Sequence, residues 1–336
     1  MHVLYIKPYK NEDGLLKELV PEGVRINFAE GVAALDEADR LSVDTVSVFV
    51  DYQLTADVMQ RLPNLRFIAT RSAGYDHIDM EYVAAHNIVV SRVPQYGTRT
   101  VAEFTIALLF ALARNAFRAY TDMLQRSALS NIEVYEGFDL AGKTLGVVGT
   151  GAIGRSVCQI ARGIGMNVIA YDVRPDETFA EHTGVRYAPL ETVLAECHVL
   201  TLHVPSLPQT HHLINAERLA LMQPGSYLIN TARGNIVDTK ALVAALEEGR
   251  LAGAGLDVLE GEHELHEEAS LLAARTTDTA LWETLAADHA LIDMPNVIVT
   301  PHIAFNTIEA KREITQITAE NICAFNANSP INVIAV

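Results

Sequence analysis

Short unbroken runs of apolar residues, each closed by a polar or glycine-containing loop, recur along the chain. In the first hundred residues they cover 2–6, 45–50, 65–70 and 87–90; a second series covers 144–148, 167–171, 199–203, 226–230, 253–256 and 297–300. Runs of this length fit strands buried on both faces of a parallel sheet. Between them apolar positions return with helical spacing, as in 101–125, 155–164, 239–248 and 308–326. Such alternation predicts a doubly wound α/β fold. Pro94-Gln95-Tyr96-Gly97 interrupts the pattern before the long helical stretch at 101–125 and marks a boundary between two halves. The most apolar stretch, 104–113, ends at Arg114 and is about half the roughly 20 residues a bilayer-spanning helix needs, so it predicts a buried helix.

With 336 residues, two domains are the default. Lys and Arg number 25 against 42 Asp and Glu, a net charge of −17. That balance argues against a nucleic-acid binder, which needs a basic footprint, and against a surface made for an anionic membrane. Cys158, Cys197 and Cys323 are far apart and form no CxxC pair, so neither a disulfide framework nor a metal site is expected. The first ten residues lack the basic-then-apolar pattern of a secretory signal, and a reduced, cytoplasmic setting fits.

The strand at 144–148 runs directly into Gly149-Thr150-Gly151-Ala152-Ile153-Gly154, with a helical pattern behind it. In that context Gly149 makes a tight turn, Gly151 lets the backbone approach a pyrophosphate, and Gly154 allows close helix–strand packing; the helix N-terminus faces the anion. A lone glycine motif also serves ordinary turns, and methyltransferases use similar loops. Asp172, 18 residues past Gly154 at the end of the next strand, changes the odds. A carboxylate there accepts hydrogen bonds from ribose hydroxyls and repels a 2′-phosphate, which predicts NAD over NADP; Arg174 softens that preference.

Three further strands end in chemistry. Arg233 follows the strand at 226–230, Asp257 closes the one at 253–256 with Glu260 and Glu262 just beyond, and His302 follows 297–300. Carboxyl ends of parallel strands face the ligand crevice. A guanidinium fork suits a substrate carboxylate, and a histidine beside a carboxylate serves as a general acid. Taken singly, most arginines make surface ion pairs and most histidines are structural. Together with a dinucleotide loop they fit reduction of a 2-oxo acid, a small anionic substrate: Arg holds the carboxylate and polarises the ketone, and His protonates the oxygen.

At this point the sequence resembles the D-2-hydroxyacid dehydrogenase family over nearly its whole length. The motifs are Arg71-Ser72-Ala73-Gly74-Tyr75-Asp76-His77-Ile78-Asp79, Val93-Pro94-Gln95-Tyr96, Val101-Ala102-Glu103, the glycine loop, Leu202-His203-Val204-Pro205, Asn230-Thr231-Ala232-Arg233-Gly234, the segment from Leu256 to Glu262, and Thr300-Pro301-His302-Ile303-Ala304-Phe305. The resemblance is closest to the D-lactate dehydrogenase branch, through Tyr96 and the long interval from Glu262 to His302. It implies that Arg233 binds and orients substrate, Glu262 rather than Glu260 pairs with the histidine, and His302 is the acid/base. It implies substrate contacts from the backbone of Ala73 and Gly74, the Tyr96 hydroxyl and a Phe305 wall. Ala152, Ile153, Asp172, Val204, Pro205, Thr210, Thr231, Ala232 and Asp257 match cofactor positions beside Gly149, Gly151 and Gly154; for Asp257 the plain alternative is a helix cap.

The family architecture implies two Rossmann-like domains separated by a cleft: a discontinuous substrate domain of 1–98 with 303–336, and a dinucleotide-binding domain of 99–302. It also implies closure about the two linkers and a homodimer through the cofactor domain, with 101–125 as the contact. The implied activity is NAD-dependent reduction of a 2-oxo acid to a D-2-hydroxy acid, with D-lactate and pyruvate favoured. Glyoxylate or hydroxypyruvate, phosphoglycerate and phosphite oxidoreductases remain open, as does an NAD(H)-sensing binding protein of the same fold. The 263–293 segment, which holds Trp282, is longer than in many relatives, and the residues assign it no role.

Overall fold

The computed structural model describes residues 1–10, 12–125, 132–273 and 275–335. Its contacts divide the chain into two compact units, Met1–Gly97 with Phe305–Val336, and Thr98–Ala304.

The first unit carries five parallel strands: β1 (His2–Ile6), β2 (Arg25–Ala29), β3 (Thr45–Val48), β4 (Phe67–Thr70) and β5 (Val89–Ser91), in the order β2-β1-β3-β4-β5. The second carries seven: β6 (Thr144–Val148), β7 (Asn167–Tyr171), β8 (Arg186–Tyr187), β9 (Val199–Leu202), β10 (Ser226–Asn230), β11 (Leu251–Leu256) and β12 (Val297–Val299), in the order β12-β11-β10-β9-β6-β7-β8. Strand order reverses between β1 and β3 in one sheet and between β6 and β9 in the other. Both are points where a doubly wound sheet opens a crevice at its carboxyl edge.

Alternation along the strands fills both faces of the second sheet. Leu145 and Val147 join Leu108, Leu109 and Val157 on one side; Val148, Leu200 and Leu202 join Val193, Leu194 and Leu242 on the other. Each fully buried Leu or Val stabilises the fold by about 2 kcal/mol. Cys158 and Cys197 fill gaps in these two layers, and desolvation pushes both thiols up to about 12, so they stay protonated and inert.

Two strands have no counterpart in the apolar runs. β2 and the two-residue β8 are edge strands, each pairing on one side only. In β2, Arg-Ile-Asn-Phe-Ala, the inward-packing Ile26, Phe28 and Ala29 are interrupted by Asn27, so no continuous apolar run announces it. The helix expected over 101–125 is also two helices, Thr98–Ala113 and Ala116–Leu124, bent by 66°. Asn115 takes a left-handed conformation at φ 48°, and the Ala113 carbonyl accepts from Phe138 N–H at 2.9 Å instead of continuing the ladder. Asn115 Nδ2 completes the break with a 2.9 Å bond to Glu136 O. Among the described residues no single helix is long and apolar enough to cross a membrane. Within the 263–293 segment, of which residue 274 lies outside the described residues, the helices Glu262–Ala273 and Thr279–Asp293 form; the second packs on the helix Thr239–Glu247 and on β12.

Candidate active site

The glycine loop occupies the switch point of the second sheet. Gly149 has φ +92°, and a Cβ there would stand 2.7 Å from His203 O, so the turn needs glycine. Gly154, in the helix Ala152–Gly163, lies so close to β6 that a Cβ would meet Gly149 O at 2.0 Å. Around Gly151 the space is open, and the N–H groups of Gly151, Ala152 and Ile153 have no protein acceptor among the described residues. Free donors at a helix start suit a pyrophosphate.

Asp172 closes the far side. Its Oδ2 accepts from Thr150 N (2.6 Å) and Thr150 Oγ1 (3.0 Å), and Oδ1 from Arg174 N (2.9 Å). Burial pulls its pKa up, but the donors of Arg174 and Thr150 outweigh that and hold it below the usual carboxylate value. An ionised carboxylate keeps lone pairs for ribose hydroxyls and opposes a 2′-phosphate. The donor set therefore fits a dinucleotide, with NAD the better match. Beside the loop, desolvation lowers the His203 pKa to about 3, so the imidazole stays neutral next to Val204 and Pro205. The Thr210 hydroxyl is taken up locally, donating to Pro205 O at 2.6 Å and accepting from Leu207 N at 2.8 Å.

The loops after β10, β11 and β12 follow three adjacent parallel strands, and they carry Arg233, Glu262 and His302. Asn230, which stood in a motif without a role, staples the first: its Oδ1 accepts from Ala232 N (3.0 Å) and its Nδ2 donates to Arg233 O (2.8 Å). The neighbouring Thr231 hydroxyl bonds Thr105 Oγ1 at 2.9 Å. Arg233 Nη1 donates to Ala232 O at 2.8 Å. Asp257 does not cap a helix. Its buried carboxylate accepts from Thr300 Oγ1 (2.6 Å), Ile303 N (2.9 Å) and Ala304 N (2.8 Å), and desolvation raises its pKa despite them. Those bonds bracket His302, which sits at φ 52°, a left-handed conformation uncommon for histidine and stored here by its surroundings.

His302 Nδ1 lies 2.9 Å from Glu262 Oε1. A carboxylate at Nδ1 fixes the proton there and leaves Nε2 as the variable position; among the described residues no group bonds Nε2. Glu260, two residues from Glu262, turns elsewhere, to His212 Nε2 (2.6 Å) and Thr239 Oγ1 (2.9 Å). His211, His212 and Glu260 offer the donor set of a metal ion, yet both Glu260 oxygens are already engaged.

In the first unit, Ala73 and Gly74 follow β4, and their N–H groups meet no protein acceptor among the described residues. Ser72 Oγ donates to Gly74 O at 2.6 Å and shapes that turn. Tyr96 is half-buried. Phe305 packs on Phe49, with ring centroids 4.8 Å apart, and on Tyr9 at 6.2 Å. Neither Tyr9 nor Phe49 stood out in the sequence; they lie in the segments that follow β1 and β3.

Residues 106–304 match the model of the D-isomer specific 2-hydroxyacid dehydrogenase NAD binding domain. The 2-hydroxyacid dehydrogenase homolog 2 of Schizosaccharomyces pombe is 37% identical over 287 residues, 84% of this chain and 83% of that one. A glyoxylate reductase of Korarchaeum cryptofilum is 37% identical over 284 residues, 83% of this chain and 78% of its own. Among solved structures, the D-lactate dehydrogenase of Aquifex aeolicus complexed with NAD and lactic acid superposes with a TM-score of 0.86 at 34% identity, covering 97% of this chain and 96% of that one. The chain belongs to the D-2-hydroxyacid dehydrogenase family, as an NAD-dependent enzyme similar to its D-lactate dehydrogenase branch.

Proposed function

We propose that this enzyme reduces pyruvate, or a 2-oxo acid of similar size, to the D-2-hydroxy acid and catalyses the reverse reaction. The observation that carries this reading is the His302–Glu262 pair, 2.9 Å apart with His302 Nε2 open among the described residues, carried after β12 and β11 beside β10, whose following loop bears Arg233. When bound, NADH supplies the hydride for the substrate carbonyl carbon. Its pyrophosphate is assigned to the N–H groups of Gly151, Ala152 and Ile153 and its ribose to Asp172. Arg233 grips the substrate carboxylate with its planar fork and polarises the ketone. His302, protonated at both nitrogens, delivers the Nε2 proton to the carbonyl oxygen, while Glu262 stabilises the imidazolium and holds the ring. In the first unit the amides of Ala73 and Gly74, the Tyr96 hydroxyl and Phe305, which packs on Phe49, are assigned to substrate.

The stretch 1–98 with 303–336 is assigned to substrate and 99–302 to cofactor. A cytoplasmic homodimer is part of the same reading: Phe117, Tyr120, Met123 and Leu124 are each at least half exposed on one short helix, an apolar face suited to a second copy. The deciding experiment follows NADH and NADPH oxidation with pyruvate, glyoxylate, hydroxypyruvate and longer 2-oxo acids, with chiral analysis of the product. Turnover of pyruvate to D-lactate with NADH is the expected result. Tight NADH binding without turnover of any acid overturns the reading in favour of an NAD(H) sensor.

A further inference from the structure

Gly261 stands between the two glutamates, and its N–H donates to Asp288 Oδ2 at 2.9 Å. Asp288 comes from the helix Thr279–Asp293, in the segment to which neither the sequence nor the site gave a role. The residue is 0% exposed, and its second oxygen, Oδ1, is buried without a hydrogen-bond partner. The approach is close: a Cβ on Gly261 would lie 2.7 Å from Asp288 Oδ2 and 3.4 Å from Thr284 Cγ2. No cation neutralises this carboxyl among the described residues. Burial pushes Asp288 up to about 7; the Gly261 N–H opposes this, Glu260 and Glu262 add to it, and His289 opposes it weakly. In its neutral form the group still offers a carbonyl oxygen to Gly261.

We propose that Asp288 is a positioning residue for the Glu262–His302 pair, anchoring the Gly261 N–H and thereby fixing the turn from which Glu262 reaches His302 Nδ1. On the other side of Gly261, Glu260 is tied to His212 and Thr239, so the turn is held at two successive residues. Without the Asp288 acceptor, a buried N–H is left unsatisfied and the turn relaxes to find another partner. Glu262 then leaves Nδ1, and the imidazole loses both its orientation and the charge beside it. The role rests on the reading of His302 as proton donor.

The test compares Asp288→Leu, which removes the acceptor at similar volume, with Asp288→Asn, which keeps an acceptor oxygen. Three quantities are read on the full chain: kcat with the best 2-oxo acid, the Kd for NADH from fluorescence, and the downfield proton resonance of His302 Nδ1–H, assigned by its loss in His302→Gln. Asp288→Leu is expected to lower kcat about 10- to 100-fold, the scale of a small misplacement of a reacting group, and to shift or abolish the resonance, with the NADH Kd within about twofold of the parent. Asp288→Asn is expected to stay near the parent in all three. A folded Asp288→Leu protein with unchanged kcat and resonance overturns the proposal. So does an Asp288→Asn protein as impaired as the leucine variant, since charge rather than the acceptor would then matter. Should the leucine variant not fold, Gly261→Ala, whose Cβ presses on Asp288 Oδ2, is expected to give the same loss, and parental behaviour there overturns the proposal equally. If the parent turns over no 2-oxo acid, the functional reading fails, and the resonance alone still decides whether Asp288 holds the pair.

Discussion

Arg71–Glu12 in the first unit and His302–Glu262 in the second are pairs built on opposite plans. In the first unit Arg71 Nη1 meets Glu12 Oε2 at 3.0 Å with both side chains withdrawn from solvent, at 0% and 2% exposure. The surroundings nearly saturate it. Glu12 accepts from Tyr5 Oη, from Thr315 Oγ1 at 3.0 Å and from Tyr9 N at 2.7 Å; Arg71 Nη2 donates to the carbonyls of Ile6 and Lys7, and the Tyr5 ring lies 4.4 Å from the guanidinium. In the second unit His302 and Glu262 are 26% and 38% exposed, and among the described residues Glu262 has only a 3.4 Å contact from Leu259 N besides and His302 Nε2 has no partner. A charge pair sealed from solvent and bonded on most sides by protein, with Arg71 Nε buried and unpartnered, joins pieces of chain: here the helix Glu12–Leu19, the end of β4 and the helix Ile308–Asn326. A pair with one strong donor left open is arranged for something that is not protein.

The comparison is broken most sharply by removing one member of each pair. His302→Ala is expected to lower kcat by about 10²- to 10⁴-fold, the usual worth of a positioned acid, while the melting temperature and NADH affinity hold. A steady-state assay beside a thermal melt checks both halves. Glu12→Ala is expected to do the reverse. It strands the buried Arg71 charge, which destabilises by about 3–5 kcal/mol, visible as a lower denaturation midpoint. In protein that remains folded, NADH affinity is expected to persist because the cofactor residues lie in the other unit. An alanine at position 12 that lowers kcat but leaves stability alone would erase the distinction.

These two sites were unequally legible in the sequence. The glycine loop, Asp172 and the residues after β10, β11 and β12 stood out because backbone geometry demands particular residues there and continuous apolar runs marked the strands before them. Arg71 lay within a family motif, but nothing local says it is buried, since its partner Glu12, and Thr315 which bonds Glu12, are brought in from distant parts of the chain. The kink at Asn115 was hidden for a related reason: the Phe138 N–H that claims the Ala113 carbonyl comes from beyond the helix. Glu260 and Glu262 are chemically equal in sequence and differ only in the tertiary partner each meets. Asp288 was the least legible of all, an acid on a helix whose composition suggests an ordinary surface residue and whose burial comes from the close approach of a glycine.

Asp288 also sharpens the comparison, as a third acid that is as buried as Glu12 yet has no cation paired with it among the described residues. Its folded-state pKa of about 7 lies above the ordinary carboxyl value of 3.8. Between those values the unfolded chain gives up a proton that the folded chain retains. The contribution of this group to stability is therefore fully present below about pH 4 and is lost as pH rises through about 7, by at most about 4 kcal/mol. Asp288→Asn does not titrate, so its stability is expected to gain on the parent as pH is raised from about 4 to about 8, most of the change falling below 7. Denaturant midpoints for both proteins across that range check the sign. Parallel curves would mean that Asp288 ionises in the folded chain as readily as in the unfolded one, and that its burial does not bear on its charge.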